Sequence, residues 1–208
     1  MDFNEGISWE HEELIFAQGL TWVAGVDEVG RGPLAGSVVA AAVILPRGFN
    51  ALGLNDSKKL TPMKRKKMAE ALRADPEVLW ALGEATVEEI DRHNILQATF
   101  LAMRRAVKGL TQRPDFVLVD GNQDPGLGLP IKTIIGGDGA SPSIAAASII
   151  AKQHRDEAME LLAEKYPGYG LEKHKGYGTA AHLAALQKLG PSPIHRMSFE
   201  PVRLSVRK

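Results

Sequence analysis

WVAGVDEVGRGPLAGSVVAAAVIL, residues Trp22 to Leu45, is the stretch on which the reading of this 208-residue chain turns. An apolar run ends in two adjacent carboxylates, Asp27 and Glu28. Gly30-Arg31-Gly32-Pro33 follows as a turn, and a second run of small and β-branched residues comes after it. The pattern predicts strand, tight turn, strand. An unpaired carboxylate is costly to take out of water, so something must compensate Asp27 and Glu28. An ion pair with Arg31 or a capping hydrogen bond is one answer, and a divalent metal is the other. The glycines at 25, 30, 32 and 36 suit close backbone approach to a ligand or turns with positive φ, and because they flank both acids a divalent metal site is the sharper reading.

Working outward, residues 1 to 20 carry Trp9, Leu14, Ile15 and Phe16 at a spacing that suits a short amphipathic helix. Thr61-Pro62 reads as an N-cap followed by a first-turn proline, predicting a helix over about 61 to 73. Within it Lys64 to Lys67 point around most of the circumference and read as a solvated face. Ser57, Lys58 and Lys59 precede that helix, where N–H groups, a hydroxyl and ammonium groups could hold a phosphate or simply form a capped loop.

Residues 77 to 87 predict a third strand and 88 to 110 a long helix, in which Asn94 and Gln97 are polar exceptions near the buried side and read as structural hydrogen-bonders. Residues 115 to 119 form a compact apolar run that delivers Asp120 at a strand's C-terminal end, either a site acid or a turn former in an Asp-Gly step. Residues 131 to 135 give one more strand. Asp138 then sits just before a helix over about 142 to 165, as a site acid or a capping residue. Lys152, His154 and Arg155 read as surface groups. The loop His174-Lys175-Gly176-Tyr177-Gly178-Thr179 leads into a helix over about 179 to 189. The tail from Ile194 holds His195, Arg196, Arg203, Arg207 and Lys208, a basic patch that is a nucleic-acid contact or a frayed end.

Three consecutive strands, a helix on either side of the third, and two strands each with a helical follow-on predict an α/β domain with a mixed sheet and helices on both faces. The length fits one domain, with residues from about 170 as a C-terminal helical portion. Twenty-five basic residues offset twenty-five acidic ones, so net charge argues neither for nor against nucleic acid. The absence of cysteine excludes disulfides and cysteine-ligated zinc. The N-terminus has no secretory pattern, and the longest uncharged stretch, Gly32 to Pro46, falls short of the roughly 20 apolar residues of a membrane span. A cytoplasmic monomer with no membrane association is expected.

Four carboxylates from separate segments, Asp27, Glu28, Asp120 and Asp138, would repel one another if brought together without cations. Oxygen ligands with few histidines suit two Mg²⁺ or Mn²⁺ ions at about 3.5 to 4 Å, a spacing fit for phosphodiester hydrolysis. Because neighbours in a regular strand face opposite sides, Glu28 joins Asp27 only if the backbone turns there. A Mg²⁺-dependent phosphotransferase would use the same acids, but the chain has no Gly-Lys-Ser/Thr phosphate loop. A non-catalytic nucleic-acid-binding module with structural acids is the other rival.

The run from Gly25 to Gly36 resembles the signature of ribonuclease HII, the type 2 ribonucleases H. Further matches follow in order: Asn55 to Leu60, Asn94 to Thr99, Val119 to Asn122, Gly137-Asp138, Ala145 to Lys152 and His174 to Thr179. The resemblance implies a ribonuclease H-like fold with C-terminal helices. It also implies an endonuclease that acts on RNA/DNA hybrids and cuts 5′ to single ribonucleotides in duplex DNA. By the same resemblance Asp27, Glu28, Asp120 and Asp138 take the four catalytic acid positions, with Asp27 bridging both metals. Gly30, Arg31 and Gly32 match the ribose-sensing turn, Tyr177 the tyrosine that lies against the ribonucleotide, and Ser57 and Lys58 the phosphate contacts. The chain departs from the family pattern at Ala140, Ala180 and Ala181, where charged residues are usual, and this bears on substrate affinity.

Overall fold

A computed structural model describes residues 7–55 and 57–206. Asp56, in the middle of the Asn55 to Leu60 segment, lies outside the described residues, as do Arg207, Lys208 and the start of the N-terminal stretch. In chain order the elements are α1 (Glu10–Phe16), β1 (Val23–Val29), β2 (Val38–Ile44), α2 (Pro62–Ala74), β3 (Leu79–Ala85), α3 (Val87–Gly109), β4 (Phe116–Asp120), β5 (Ile131–Ile134), α4 (Pro142–Lys165), α5 (Leu171–His174), α6 (Ala180–Leu189) and α7 (Glu200–Ser205).

β1 and β2 pair antiparallel, from Ala24 opposite Ile44 to Val29 opposite Val39, and β3 adds antiparallel beyond β2. β4 pairs parallel with β1 and β5 parallel with β4, giving the order β3-β2-β1-β4-β5. The expected mixed α/β sheet is therefore present. Its two faces follow from strand alternation. Ala24, Val26, Val38, Ala40, Val117 and Val119 meet α3 on one side. Val39, Ala41 and Val43 meet α4 on the other, with α2 packed alongside.

Small residues set how closely these layers approach. A Cβ on Gly25 would collide with the backbone of Ser143 and Ile144, and one on Gly83 with that of Ala102 and Ala106. Gly25 thus serves the approach of α4 to β1 and not the approach of a ligand. Inserted atoms in such a contact cannot be relieved by rotamer change, since the obstacle is backbone.

Four local expectations need correction. The connection between β1 and β2 is the eight-residue loop Gly30 to Ser37 and not a tight turn, because two arginine side chains occupy its interior, as described below. No helix follows β4. Residues 121–130 carry Pro125 and Pro130, with Gly126 and Gly128 at positive φ, a composition that breaks a helix. α3 is kinked at Asn94, whose φ of 67° and ψ of 164° are non-helical; its Oδ1 accepts from the N–H groups of Leu96 and Gln97 and so caps a second helical segment. Asn94 and Gln97 are both exposed, so the hydrogen-bonding role holds for Asn94, within its own helix and away from the buried side.

The tail is not frayed over its described length. Leu34, Ala35 and Met159 form an apolar cluster with Tyr169, Leu171, Leu186 and Val202, and His195 makes a β-bridge to Ala35. Among the described residues no helix is long and apolar enough to cross a membrane.

Candidate active site

Asp120 ends β4, and Asp27 lies in the adjacent parallel strand β1, two residues before its C-terminal end. The register Val26 to Val119 carries them, one step on, to neighbouring positions on the face covered by α4. Strands in a sheet lie about 4.8 Å apart, so two carboxylates in this arrangement feel each other strongly. Asp27 is 5% exposed. Its carboxylate accepts from the Glu28 N–H at 2.7 Å, and the Ser148 hydroxyl acts to lower its proton affinity. Burial first, then the charges of Glu28 and Asp120, pushes its carboxyl well above the usual carboxylate range.

β1 continues unbroken through Val29, so Glu28 projects to the opposite face, as regular alternation requires. It lines a pocket of about 240 Å³ with Arg31, Leu96, Thr99, Phe100, Met103, Asp120 and Asn122. Its carboxylate lies 3.5 Å from the Arg31 guanidinium. Burial raises the Glu28 carboxyl against the pull of Arg31, and Asp120 raises it further. The ion-pair reading therefore applies to Glu28, whereas Asp27 is raised by burial and by two neighbouring carboxylates.

Asp138 lies in a short 3₁₀ turn, Gly137–Gly139, and the Gly137 N–H donates to Asp120 Oδ1 at 2.7 Å. That bond ties the turn to the end of β4. Lys58 brings its ammonium to 3.9 Å from the Asp138 carboxylate while its side chain is 80% exposed. Among the described residues no three histidine, aspartate or glutamate side chains are gathered as a metal-holding group. The acids share one end of the sheet but divide between its faces.

The other residues singled out from sequence fall around this end. Ser57 is buried, its hydroxyl 3.0 Å from that of Ser148, so any phosphate contact by Ser57 would fall to its backbone. Tyr177 is 44% exposed and its ring lies against Gly32, where a Cβ would come within 3.4 Å of it.

Three buried arginines brace the surrounding loops, and all three were read from sequence as something else. Arg65, in the basic run of α2, turns inward to Asp156 at 3.0 Å and to the carbonyls of Ser57 and Leu60. Arg155, 1% exposed, donates to the carbonyls of Ala35, Ser37 and Lys175. Arg196, fully buried, donates to Gly30, Arg31, Pro33, Gly36 and Ser37.

The ribonuclease HII family model matches residues 24–202, which takes in Asp27, Asp120, the glycine loop and the arginines that brace it. The chain belongs to the ribonuclease HII family. It is 60% identical over 185 residues to the ribonuclease HII of Rhodospirillum rubrum, covering 87% of this chain and 85% of that one. It is 56% identical over 192 residues to that of Chlamydia caviae, covering 92% and 90%. Among solved structures it is similar to ribonuclease H2 from Pyrococcus horikoshii OT3, with a TM-score of 0.76 and 28% identity over 88% of this chain and 96% of that one. The fold is also similar to that of Bst-RNase HIII in complex with Mn²⁺, with a TM-score of 0.69 at 20% identity over 89% and 69% of the two chains. As a ribonuclease HII the protein is a hydrolase that cleaves the RNA of RNA/DNA hybrids.

Sequence reading gave no separate role to Ser148 and took Arg65, Arg155 and Arg196 for surface or tail groups. Ser148 had a signal, as a hydroxyl inside the run Ala145 to Ala151. The arginines had none, since a buried Arg is written with the same letter as an exposed one.

Proposed function

We propose that this ribonuclease HII cuts on the 5′ side of single ribonucleotides embedded in duplex DNA as well as within longer RNA stretches, leaving 3′-hydroxyl and 5′-phosphate ends. In this reading Asp27, Glu28, Asp120 and Asp138 are its catalytic acids. The observation that carries it is Asp27: a buried carboxyl beside Asp120, with burial, Glu28 and Asp120 all raising its proton affinity. An all-oxygen set of hard donors with unbalanced negative charge fits Mg²⁺ or Mn²⁺.

Asp27 and Asp120 would hold such ions on the α4 face, with Asp138 beside Asp120 and Glu28 reaching in from the other side of the sheet. When bound, two such ions supply a water-derived nucleophile and stabilise the leaving oxygen. The chain's own part is to fix these oxygens at one end of the sheet, with the Glu28 N–H orienting the Asp27 carboxylate. Gly137 orients Asp120. Lys58, with its side chain 80% exposed, offers a positive charge to the nucleic-acid backbone at the edge of the acids, a contact that positions the substrate and carries no sequence information.

Sugar recognition needs groups that meet a 2′-OH, the one feature that separates RNA from DNA at a given residue. Gly30, Arg31, Gly32 and Tyr177 have that role in this proposal, and the nearness of the Tyr177 ring to Gly32 supports it, since a Cβ there would come within 3.4 Å of the ring. Digestion of duplexes with zero, one and four ribonucleotides, with metal or chelator and with the ends mapped, tests the whole reading. The single ribonucleotide should suffice, and Tyr177→Ala should be impaired more than Tyr177→Phe. Cleavage of the all-DNA duplex, a 2′,3′-cyclic phosphate end or activity in excess chelator would each contradict it.

A further inference from the structure

Two hydrogen-bond systems meet at consecutive residues, His195 and Arg196, and each ends on one half of the proposed sugar-reading surface. The Arg196 guanidinium has five N–H donors, and five backbone carbonyls of the Gly30 to Ser37 loop receive them, at 2.6 to 3.2 Å. In a planar trans peptide the N–H points away from the C=O, and every described peptide bond here is trans. Drawing the carbonyls of Gly30 and Arg31 inward therefore turns the N–H groups of Arg31 and Gly32 outward. Those two N–H groups have no protein acceptor among the described residues, whereas those of Leu34 and Gly36 bond to Gly176 and Ile194.

The second system runs from His195 to Tyr177, and its protons can be assigned from both ends. The Tyr177 carbonyl can only accept, so His182 Nδ1, 3.0 Å away, carries a proton, and the Nε2 of the neutral ring is an acceptor. At the far end the Ser192 N–H can only donate, so His195 Nδ1 accepts it at 3.0 Å and His195 Nε2 carries the proton. The two assignments meet without conflict at the Nε2 to Nε2 contact of 3.1 Å, where His195 donates and His182 accepts. Both rings are buried, and burial, then His182, pushes the His195 imidazole down to about 4, so the neutral chain persists at neutral pH.

We propose that His195 and Arg196 are positioning residues for ribonucleotide recognition, Arg196 presenting the Arg31 and Gly32 N–H groups and His195, through His182, holding Tyr177 against them. This rests on the reading of Gly30 to Gly32 and Tyr177 as the sugar-reading groups. Neither residue meets the substrate. Their backbone ties reinforce the arrangement: the Arg196 N–H bonds to Leu34 O and the Gly36 N–H to Ile194 O, so the segment is sewn to the loop it orients.

The test is steady-state cleavage of a single-ribonucleotide duplex by wild type, His195→Asn, His195→Gln, Arg196→Lys, Tyr177→Ala and the Tyr177→Ala/His195→Asn double variant, with thermal melts of each. Asn is too short to reach His182, whereas the Gln amide reaches the place of Nε2 and can donate to it. His195→Asn should raise KM by about 3- to 10-fold, the loss of one ordinary hydrogen bond, with kcat nearly kept. His195→Gln should recover most of that loss. Arg196→Lys, which offers three donors in place of a five-donor fork, should raise KM at least as much; if its melt shows an unfolded protein, the His195 pair carries the test alone.

In the Tyr177→Ala background His195→Asn should add little, since it acts through Tyr177. A merely structural role would lower kcat with the fraction of folded enzyme and leave KM in place, and that result would overturn the proposal. Wild-type activity in Tyr177→Ala would instead overturn the sugar reading itself. Tyr177→Ala impaired with His195→Asn unchanged would leave that reading standing and remove the positioning role.

Discussion

Asp27 is the residue on which folding and chemistry disagree most. Its carboxyl binds a proton more tightly in the folded chain than in the unfolded one, so the folded state loses stability relative to the unfolded as pH rises through that range. At neutral pH in chelator, Asp27→Asn should therefore melt at a higher temperature than wild type while losing more than about 10²-fold in kcat with metal, as removal of an essential electrostatic group does. Differential scanning calorimetry beside a cleavage assay decides it, and a lower melting temperature would count against the account of repelling acids. Lys58→Ala tests a different kind of contact: it should weaken substrate binding, keep the chemistry, and lower the slope of log K against log salt by about one, measured by titration at several salt concentrations. Asp27 and Asp120 were legible as neighbours in the sheet because a charge closing an apolar run contradicts its surroundings. Arg65, Arg155 and Arg196 were not, because what makes them unusual is that they end on backbone carbonyls, and a carbonyl leaves no mark in the sequence.

At the scale of elements, periodicity and caps carried far. The helix expected over 142 to 165 is observed as Pro142–Lys165, and the one over 61 to 73 as Pro62–Ala74 with the Thr61 hydroxyl accepting from Lys64 N–H. What periodicity could not show is an interruption that preserves it. The kink at Asn94 lies inside a continuous helical pattern, and only the side-chain cap betrays a second start. Asn94→Ala removes the cap and keeps the positive φ, so it should cost about 1–3 kcal/mol of stability. Asn94→Gly relieves the backbone and should cost about half as much. Urea denaturation of the two variants checks the order, and equal losses would show that strain at Asn94 is negligible. Because Leu96, Phe100 and Met103 beyond the kink line the pocket beside Glu28, the Ala variant should also lose activity.

The whole molecule was readable in its layers and not in its closure. Alternating strands and helices gave the mixed sheet, yet the tail read as a basic patch, since His195 and Arg196 show their partners only once Gly30 to Ser37 has folded around them. Closure has a pH signature. His195 and His182 have folded-state affinities for protons below the usual histidine value, that of His195 down to about 4. Between the unfolded value near 6.5 and about 4 the unfolded chain binds more protons, so their contribution is full above about pH 6.5 and is lost as pH falls. Denaturant melts from pH 7.5 to 4.5 should show that decline, and His195→Gln should flatten it. Gly30 and Arg196 lie 166 residues apart in the chain. During synthesis, which proceeds from the N-terminus, the glycine loop and all four acids leave the ribosome well before the arginine that braces the loop. A nascent or prematurely ended chain would hold all four acids and still lack the arginine that draws the Gly30 to Ser37 carbonyls inward, so the final shape of that loop arrives last.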